Sequence, residues 1–268
     1  MIRRAVVVGL GYVGLPLCLA LAEKGLIVRG VDSDSSRVDS LNSGISPITE
    51  VSNESLGVLL DSGFKSSTSF EWVATADVVI VALPTPLNAA AEPDLSFLKT
   101  GLESVAPLLK GGTLVIIEST VAPGTTSKIL LPLIESSGKS LGVDFLLAFS
   151  PERVDPGSAR GKLVEIPKIV AGVDGPSRAA AQAFYSEAGF EVVVAASASA
   201  AEAAKLLENT YRAVNIALMN ELAIAFAAMS IDVGEVVRLA AAKPFGFEPF
   251  YPGAGVGGHC IPVDPVYL

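Results

Sequence analysis

A glycine-rich turn near the amino terminus constrains the fold of this chain more than any other feature of its sequence. Gly9, Gly11 and Gly14 follow a short apolar run, residues 5–8, and open a helix-like segment. Glycines at this spacing permit a tight turn and let the backbone approach a pyrophosphate closely. The amino terminus of the following helix offers free N–H groups and a favourable dipole to that anion. The pattern predicts a dinucleotide site that includes Gly9, Gly11, Tyr12, Val13 and Gly14.

An acidic residue at the end of the next apolar run supports that prediction. Asp32 lies about 20 residues beyond the glycines, which is the spacing expected for a residue that binds the adenosine ribose. Its carboxylate can accept hydrogen bonds from the ribose hydroxyls and would repel a 2′-phosphate, so NAD is favoured over NADP. Arg37 opposes this preference, because an arginine there can contact a phosphate or the adenine. The alternative is that the glycines only form a tight turn.

Apolar runs of strand length alternate with helix-like segments over the first two hundred residues. Predicted strands cover residues 5–8, 26–31, 78–83, 114–117, 145–149, 169–172 and 191–195. Predicted helices include residues 35–42, 54–62, 96–109 and 125–136. Continuous apolar strands between helices are typical of a parallel sheet that is covered on both faces. The pattern therefore predicts an α/β fold with a doubly wound, Rossmann-type sheet.

Two short polar loops follow predicted strands of this sheet. They contain Pro84 and Thr85 after one strand, and Ser119 and Thr120 after the next. Ligands of open α/β sheets bind beyond the carboxyl ends of the strands. We therefore expect both loops to contact the cofactor, although ordinary turn chemistry is the alternative at each.

The pattern changes near residue 198, where the strands cease. Residues 199–229 contain no Gly or Pro and predict one long helix, with Ser199 and Glu202 as a capping box at its start. A second helix is predicted after Asp232, followed by a long loop rich in Gly, Pro and aromatic residues. We therefore expect a Rossmann-type domain over residues 1–198 and a helical domain over residues 199–268.

The predicted long helix carries both polar and apolar features. Lys205 and Asn209 are four residues apart and share one face. Apolar residues almost encircle the helix, so it is expected to be buried in the domain core or between subunits; they are Leu206, Leu207, Val214, Ile216, Leu218 and Met219. We expect a homodimer through this helix, and polar groups on a buried helix need partners.

Composition excludes several classes of function. Among the 268 residues the net charge is −9 without a basic tract, which argues against nucleic acid and anionic membranes as partners. No run is apolar for long enough to span a bilayer. Arg3 and Arg4 precede an uncharged stretch that resembles a signal peptide, but its glycine spacing argues against one. Two cysteines and one histidine argue against a disulfide framework or a zinc site, and they indicate the cytoplasm.

A second glycine-rich segment precedes Cys260. Gly253, Gly255, Gly257 and Gly258 would let backbone amides approach a ligand closely, which makes Cys260 a candidate nucleophile. Cys18 lies in an apolar helical stripe and is interpreted as a core residue. His259 is a neighbour of Cys260 in sequence, and a turn or surface role is equally compatible with its position. A cysteine in such a loop can also lack any catalytic role.

Six segments, in the same order from one end of the chain to the other, resemble the UDP-glucose/GDP-mannose dehydrogenase family. They are GLGYVGLP (9–16), PTP (84–86), STVAPGTT (119–126), SPERVDPG (150–157), AAKLLENTYRAVNIALMNELA (203–223) and GAGVGGHCIPVDP (253–265). The last two are long and specific. The segments 150–157 and 244–265 are most similar to the branch that oxidises UDP-N-acetylglucosamine, and next to the branch that oxidises UDP-N-acetylmannosamine.

The resemblance implies a four-electron oxidation of the sugar C6 alcohol to a carboxylate, with two NAD used in turn. The thiolate of Cys260 would add to the intermediate aldehyde, and a second hydride transfer would leave a thioester that water hydrolyses. The implied catalytic residues are Cys260, Lys205, Asn209, Asp264, Thr120 and Glu152. Lys205 and Asn209 match residues that stabilise an oxyanion.

The resemblance also assigns the remaining site residues. Asp264 and Thr120 match groups that hold the reacting water, and Glu152 matches an acid beside the nicotinamide and the substrate, which makes it a candidate base for hydrolysis. The implied cofactor-binding residues are Gly9, Gly11, Tyr12, Val13, Gly14, Asp32, Arg37, Pro84, Thr85, Ser119, Thr120 and Glu152. The implied substrate-binding residues are Glu152, Lys205, Asn209, Phe250, Tyr251, Gly253, Gly255 and Gly257. Anchoring of the loop is the alternative role for its aromatic residues.

The sequence departs from the family pattern in two places. Members that act on UDP-glucose carry a second glutamate four residues beyond the Glu152 position, where this chain has Pro156. Family members also continue into a further Rossmann-like domain that binds the uridine diphosphate, and that domain is absent from this sequence. The resemblance therefore leaves open whether the chain turns over substrate.

Two other functions stay open from the sequence. A two-electron dehydrogenase of the hydroxyacid type also joins a Rossmann domain to a helical one, and it needs a helix lysine but no thiol. An NAD-binding module without turnover is the second. The glycine loop before Cys260 argues against the first of these, and only the missing domain favours the second.

Overall fold

The computed structural model describes residues 2–153, 166–258 and 260–268. The chain divides into two compact units. The first consists of Met1–Pro86 and Asp94–Lys205, and the second of Leu87–Pro93 and Leu206–Leu268. The division expected at residue 198 stays a prediction.

The first unit is built on one sheet. Its described strands are β1 (Arg4–Val8), β2 (Ile27–Val31), β3 (Lys65–Ser67), β4 (Val78–Val81), β5 (Thr113–Ile117), β6 (Phe145–Phe149), β7 (Lys168–Gly172) and β8 (Val192–Val194). They are arranged in the order β3-β2-β1-β4-β5-β6-β7-β8. Strands β2 and β3 are added on one side of β1. The chain then crosses to the other side of β1, where β4 to β8 follow in order. This reversal confirms the doubly wound, Rossmann-type α/β fold that the sequence predicted.

Helices cover both faces of this sheet. They are α1 (Gly14–Glu23), α2 (Ser35–Asn42), α3 (Asn53–Asp61), α4 (Ser96–Val105), α5 (Leu131–Glu135) and α6 (Gly175–Glu187). Successive residues of β1 point to opposite faces, so Ala5 and Val7 join one hydrophobic cluster while Val6 and Val8 join the other. Because both faces are buried, the strands have no polar side, which explains the continuous apolar runs in the sequence.

Two features of the sheet differ from the sequence-based expectation. The short strand β3 has the sequence KSS and pairs in parallel with β2, but it carries no apolar signal from which it could be predicted. Strand β7 runs antiparallel to β6, with Ala148 opposite Gly172 and Phe149 opposite Ala171. The side-chain pattern of a buried strand is the same in either direction, so the sequence indicated the strand without its orientation.

The long helix α7 (Ala198–Ala228) spans the boundary between the units and is the single helix that the sequence predicted. The second unit adds α8 (Val233–Ala240), capped by Asp232, whose carboxylate accepts a hydrogen bond from Gly234 N. In α7, Leu206 and Met219 are buried, whereas Leu207 and Val214 are about 60% exposed in the single chain. None of the helices within the described residues is long and apolar enough to cross a membrane.

The predicted capping box at the start of α7 is wrong. Ser197 supplies the cap, since its Oγ accepts a hydrogen bond from Ala200 N. The Glu202 carboxylate points away from its own helix and accepts hydrogen bonds from Gly124 and Thr126. A tertiary contact has therefore replaced the local one.

Candidate active site

The loop after β1 has the strict backbone requirements of a dinucleotide-binding turn. Gly9 has φ +96°, and a Cβ there would lie 2.4 Å from the carbonyl oxygen of Ala82. A Cβ on Gly14 would lie 1.8 Å from the carbonyl oxygen of Gly9, so α1 can start directly against the turn only with glycine at this position. These two glycines are needed for the fold of the loop itself.

Gly11 has a different role, because a Cβ there would meet no protein atom within 4 Å. The absence of a side chain therefore leaves open space beside the first turn of α1, where unpaired backbone N–H groups favour an anion. Tyr12 beside it is 59% exposed, and Val13 is half-buried at the helix start. This open, donor-rich surface fits the pyrophosphate of a dinucleotide.

Asp32, which directly follows β2, is hydrogen-bonded to the glycine turn after β1. Its Oδ2 accepts hydrogen bonds from Leu10 N and from the Arg37 guanidinium, both at 2.8 Å, and its Oδ1 accepts one from Asp34 N at 3.0 Å. Asp32 is 6% exposed. Arg37 thus pairs with the carboxylate, and a contact with a 2′-phosphate would have to break this ion pair. The geometry favours NAD, as the sequence indicated.

The loops after β4 and β5 are joined to each other by hydrogen bonds. Ser119 Oγ accepts a hydrogen bond from Leu83 N at 2.9 Å, and Thr85 Oγ1 donates one to the Thr120 carbonyl oxygen at 2.7 Å. Pro84 is exposed between them. Both loops lie at the carboxyl edge of the sheet, where doubly wound folds bind their ligands. The structure therefore brings together two of the polar segments that the sequence singled out.

A buried cluster of charged side chains, which the sequence analysis missed, lies at the same edge. Lys168 Nζ donates hydrogen bonds to Glu118 Oε1 at 2.9 Å and to Glu152 Oε2 at 3.3 Å. Tyr185 OH donates to the same oxygen of Glu118. Of these four residues, only Glu152 was predicted as a site residue. Two signals were available: a glutamate directly after the buried strand β5, and a lysine directly before the apolar residues of β7.

Burial and charge oppose each other in this cluster. Burial raises the pKa of the Glu118 carboxyl above its ordinary value, and the Lys168 ammonium offsets only part of that effect. Burial by itself lowers the pKa of Lys168, but the two carboxylates outweigh it and the pKa stands above the usual value. Burial, together with the nearby charge of Glu118, raises the pKa of the Tyr185 hydroxyl. Lys168 is therefore a cation and Tyr185 a neutral donor near neutral pH.

Lys205 and Glu202 lie on one side of α7, three residues apart. Both are buried, at 8% and 0% exposure. Glu202 Oε1 accepts hydrogen bonds from Thr126 N at 2.8 Å and from Thr126 Oγ1 at 2.6 Å, and Oε2 accepts one from Gly124 N. The segment that follows Thr120 is therefore bound to the start of α7. Sequence analysis assigned Glu202 to a local cap and missed this contact.

In the second unit, α7 is joined to the chain segment around Cys260. Asn209 Nδ2 donates a hydrogen bond of 2.6 Å to Asp264 Oδ2, and both residues are buried. Asp264 N in turn bonds to the Cys260 carbonyl oxygen at 2.9 Å. Cys260 is exposed and Cys18 is buried, and neither forms a disulfide. Three residues predicted as catalytic are therefore neighbours in the fold.

The glycine loop before Cys260 is held by a residue that the sequence analysis did not select. Asn220 Oδ1 accepts a hydrogen bond from Gly253 N, and its Nδ2 donates one to the Gly255 carbonyl oxygen. Gly255 and Gly257 have φ values of +76° and +67° and no protein atom within 4 Å of an added Cβ. Asn220 therefore binds the first part of this loop, and open space adjoins Gly255 and Gly257.

The two loop aromatic residues that were predicted to bind substrate, Phe250 and Tyr251, differ in their surroundings. Phe250 packs edge-on against Tyr211 of α7, with ring centroids 5.7 Å apart, so it anchors the loop as the alternative interpretation held. Tyr251 is 59% exposed. His259 and Pro156 lie outside the described residues. Within the described part of the chain, no group of three His, Cys, Asp or Glu side chains is placed to hold a metal ion.

Comparison with known proteins matches two family domains along the chain. Residues 3–188 match the NAD binding domain of the UDP-glucose/GDP-mannose dehydrogenase family, and residues 199–268 match its central domain. NAD is therefore the cofactor of the first of these domains.

Individual relatives are similar in sequence to this chain over nearly its whole length. A UDP-N-acetyl-D-glucosamine 6-dehydrogenase of Pseudomonas aeruginosa is 40% identical over 269 residues, which cover 99% of this chain and 62% of that protein. A UDP-N-acetyl-D-mannosamine dehydrogenase of Pyrococcus horikoshii is 39% identical, over 99% of this chain and 63% of that protein. The solved structure of a UDP-D-ManNAc dehydrogenase from Pyrococcus horikoshii superposes with a TM-score of 0.92 at 38% identity, over 99% of this chain and 64% of that one.

The chain thus spans somewhat less than two thirds of the length of these relatives. The NAD binding domain match includes the glycine turn at residues 9–14, and the central domain match includes the Asn209–Asp264 pair and Cys260. The chain belongs to the UDP-glucose/GDP-mannose dehydrogenase family, of which it contains the NAD binding domain and the central domain.

Proposed function

We propose that the protein is an NAD-dependent 6-dehydrogenase of UDP-N-acetylhexosamines, which oxidises the sugar C6 alcohol to a carboxylate. The observation that carries this proposal is the exposed residue Cys260, whose carbonyl oxygen accepts a hydrogen bond from Asp264 N, together with the buried Asn209–Asp264 hydrogen bond. A two-electron oxidation of an alcohol needs no such nucleophile. A four-electron oxidation does, because the aldehyde must be held and oxidised again.

The residues of the first unit bind and orient the reactants. When bound, NAD would supply the hydride acceptor, and two NAD molecules used in turn would accept one hydride each. The open surface at Gly11 and the helix amino terminus bind its pyrophosphate, and Asp32 binds the adenosine ribose. The paired loops of Thr85 and Thr120 line the edge where the nicotinamide end is expected.

The residues of the second unit supply covalent chemistry. The thiolate of Cys260 adds to the aldehyde carbon, forming a C–S bond while the carbonyl electron pair moves onto oxygen. Asn209 and Lys205, the latter at the end of the first unit, stabilise that oxyanion. After the second oxidation the acyl group is a thioester on Cys260.

Hydrolysis then releases the product. The oxygen of a water molecule bonds to the acyl carbon, a proton of that water passes to Glu152, and the C–S bond breaks with its electron pair leaving on Sγ. Asp264 and Thr120 orient the water in this proposal. The products are the uronate and the free Cys260 thiolate.

We propose UDP-N-acetylglucosamine as the first substrate to test. With limiting sugar nucleotide and excess NAD, the absorbance at completion should correspond to two NADH per sugar, because both oxidations occur on one enzyme. UDP-N-acetylmannosamine and UDP-glucose, tested in the same way, identify the preferred epimer. One NADH per sugar would contradict the four-electron reaction, and no NADH from any of the three would contradict the proposed function.

We further propose a homodimer formed through α7. Leu207, Val214 and Leu218 are exposed in the single chain and share one face of the helix, since they are seven and four residues apart. Burial of this face against a second copy would remove it from water. Sedimentation velocity should give the mass of two chains, and Val214→Glu with Leu218→Glu should give the mass of one. A single-chain mass for the unmodified protein would rule out this interface.

We place the reaction in the cytoplasm. Neither Cys18 nor Cys260 forms a disulfide, which supports a reducing compartment.

A further inference from the structure

The reversed direction of β7 places a lysine at the reactive edge of the sheet. Lys168 is the first residue of β7, which runs antiparallel to β6. The amino end of β7 therefore lies beside the carboxyl ends of β5 and β6, from which Glu118 and Glu152 follow. A five-residue strand is about 13 Å long. In a parallel β7, Lys168 would lie at the opposite edge and would reach neither carboxylate.

The ammonium of Lys168 lies between two carboxylates of different surroundings. Glu118 is 1% exposed, and its Oε1 accepts hydrogen bonds from both Lys168 and Tyr185. Within the described residues, its Oε2 has no hydrogen-bond partner. Glu152 is only partly buried, and its Oε2 accepts the second hydrogen bond of Lys168 at 3.3 Å. Lys168 thus joins a buried carboxylate to one that reaches the edge of the sheet.

Stability alone is a weak explanation for such a cluster. Buried ion pairs return little net free energy, because removal of the charges from water costs about as much as their attraction gains. Hydrogen bonds to a charged group do, however, fix its orientation strongly. Charged and titratable groups around Glu152 include Lys168, which bonds to its Oε2, and Glu118 and Tyr185, which belong to the same cluster. The backbone N–H of Arg153 donates a hydrogen bond to Glu152 Oε1. Lys168 is a cation that holds the Glu152 carboxylate from the side of the sheet.

We propose that Lys168 is a positioning residue for the hydrolytic step, and that it acts by orienting the Glu152 carboxylate from a buried anchor formed by Glu118 and Tyr185. The inference rests on the proposed function, in which Glu152 takes the proton of the attacking water. Lys168 itself touches neither substrate nor cofactor in this assignment. Its loss would leave oxidation intact and slow the release of the acyl group.

Three variants test this role. Lys168→Met removes the ammonium, Lys168→Arg keeps a cation, and Lys168→Met combined with Glu118→Gln removes the ammonium together with its buried anion. The single Met variant leaves a buried unpaired carboxylate and is expected to lower Tm, whereas the double variant should regain most of that loss. The double variant therefore keeps the test valid if the single one folds poorly.

With UDP-N-acetylglucosamine and NAD, the Lys168→Met variants should show a rapid burst of two NADH per site followed by slow turnover. We expect kcat to fall by about 10- to 100-fold, less than for loss of the base itself, with NAD affinity within twofold of the unmodified protein. Mass spectrometry of the quenched protein should show an acyl adduct on Cys260. The Arg variant should recover most of the kcat and lack the adduct.

The outcomes separate the inference from the function on which it rests. Recovery of both Tm and kcat in the double variant, or slow turnover without an adduct, would show that Lys168 serves only the fold, and would overturn the inference. An unmodified protein that forms no NADH with any of the three UDP-sugars would overturn the proposed function, and the inference with it.

Discussion

Replacement of Cys260 by serine should abolish the four-electron reaction and lower steady-state NADH formation by about 10³-fold or more. A serine hydroxyl is a far weaker nucleophile than a thiolate, and an oxygen ester would form and hydrolyse less readily than a thioester. NAD binding should be unchanged, because the dinucleotide-binding turn at Gly9–Gly14 belongs to the first unit and Cys260 belongs to the second. The measurement is NADH formed per UDP-N-acetylglucosamine, together with the Kd for NAD by calorimetry.

The other cysteine provides the matched control. Cys18 is fully buried in α1, and burial raises the pKa of its thiol far above the ordinary value, so it is inert as a nucleophile. Cys18→Ala should retain two NADH per sugar, with some loss of stability from the cavity. If Cys260→Ser also retained two NADH, the thiol mechanism would be wrong. Activity with one NADH per substrate would favour the hydroxyacid type of dehydrogenase.

Replacement of Glu202 by alanine is expected to have the largest effect on stability. The change leaves three donors without an acceptor: the backbone N–H groups of Gly124 and Thr126, and the Thr126 hydroxyl. All lie in buried surroundings, so we expect a loss of about 3–5 kcal/mol. For a chain of this size that loss lowers Tm by roughly 10 °C. Thermal unfolding followed by circular dichroism measures it.

Two further variants make the Glu202 result specific. Glu202→Gln keeps the shape of the side chain and one acceptor oxygen, but its amide NH₂ would face the N–H of Gly124, so that two donors meet. The Tm of this variant should therefore lie between those of the alanine variant and the unmodified protein. Glu187→Ala removes an exposed carboxylate from α6 and should leave Tm unchanged. Equal effects of Glu202→Ala and Glu187→Ala would show that the three hydrogen bonds contribute nothing to stability.

Residues that act with their immediate neighbours in sequence were predictable. The dinucleotide turn is a contiguous segment, and two of its demands are local: the positive φ of Gly9, and the clash of a Gly14 Cβ with the Gly9 carbonyl oxygen. Asp32 was predictable because the length of α1 and β2 determines where the second strand ends. The long helix α7 was predictable because thirty residues without Gly or Pro have few alternatives.

Contacts between distant segments were not predictable in the same way. Asn209 and Asp264 are 55 residues apart, and their hydrogen bond depends on how the second unit folds. Glu202 had the spacing of a local cap, yet its carboxylate bonds 76 residues away to Thr126. A buried polar side chain bonds to whichever group the tertiary fold places next to it, and the neighbouring sequence does not show which group that is.

By itself, the sequence determined the strand–helix alternation, the glycine turn with its NAD preference, and the helical segment that ends at the Cys260 loop. These follow from local sterics and from the period of apolar residues, both of which act over a few positions. Only the tertiary structure decided that β7 runs antiparallel to β6, which places Lys168 between Glu118 and Glu152. A buried strand is apolar in either direction, so its orientation, and every charge pair that depends on it, is settled by packing of the whole sheet.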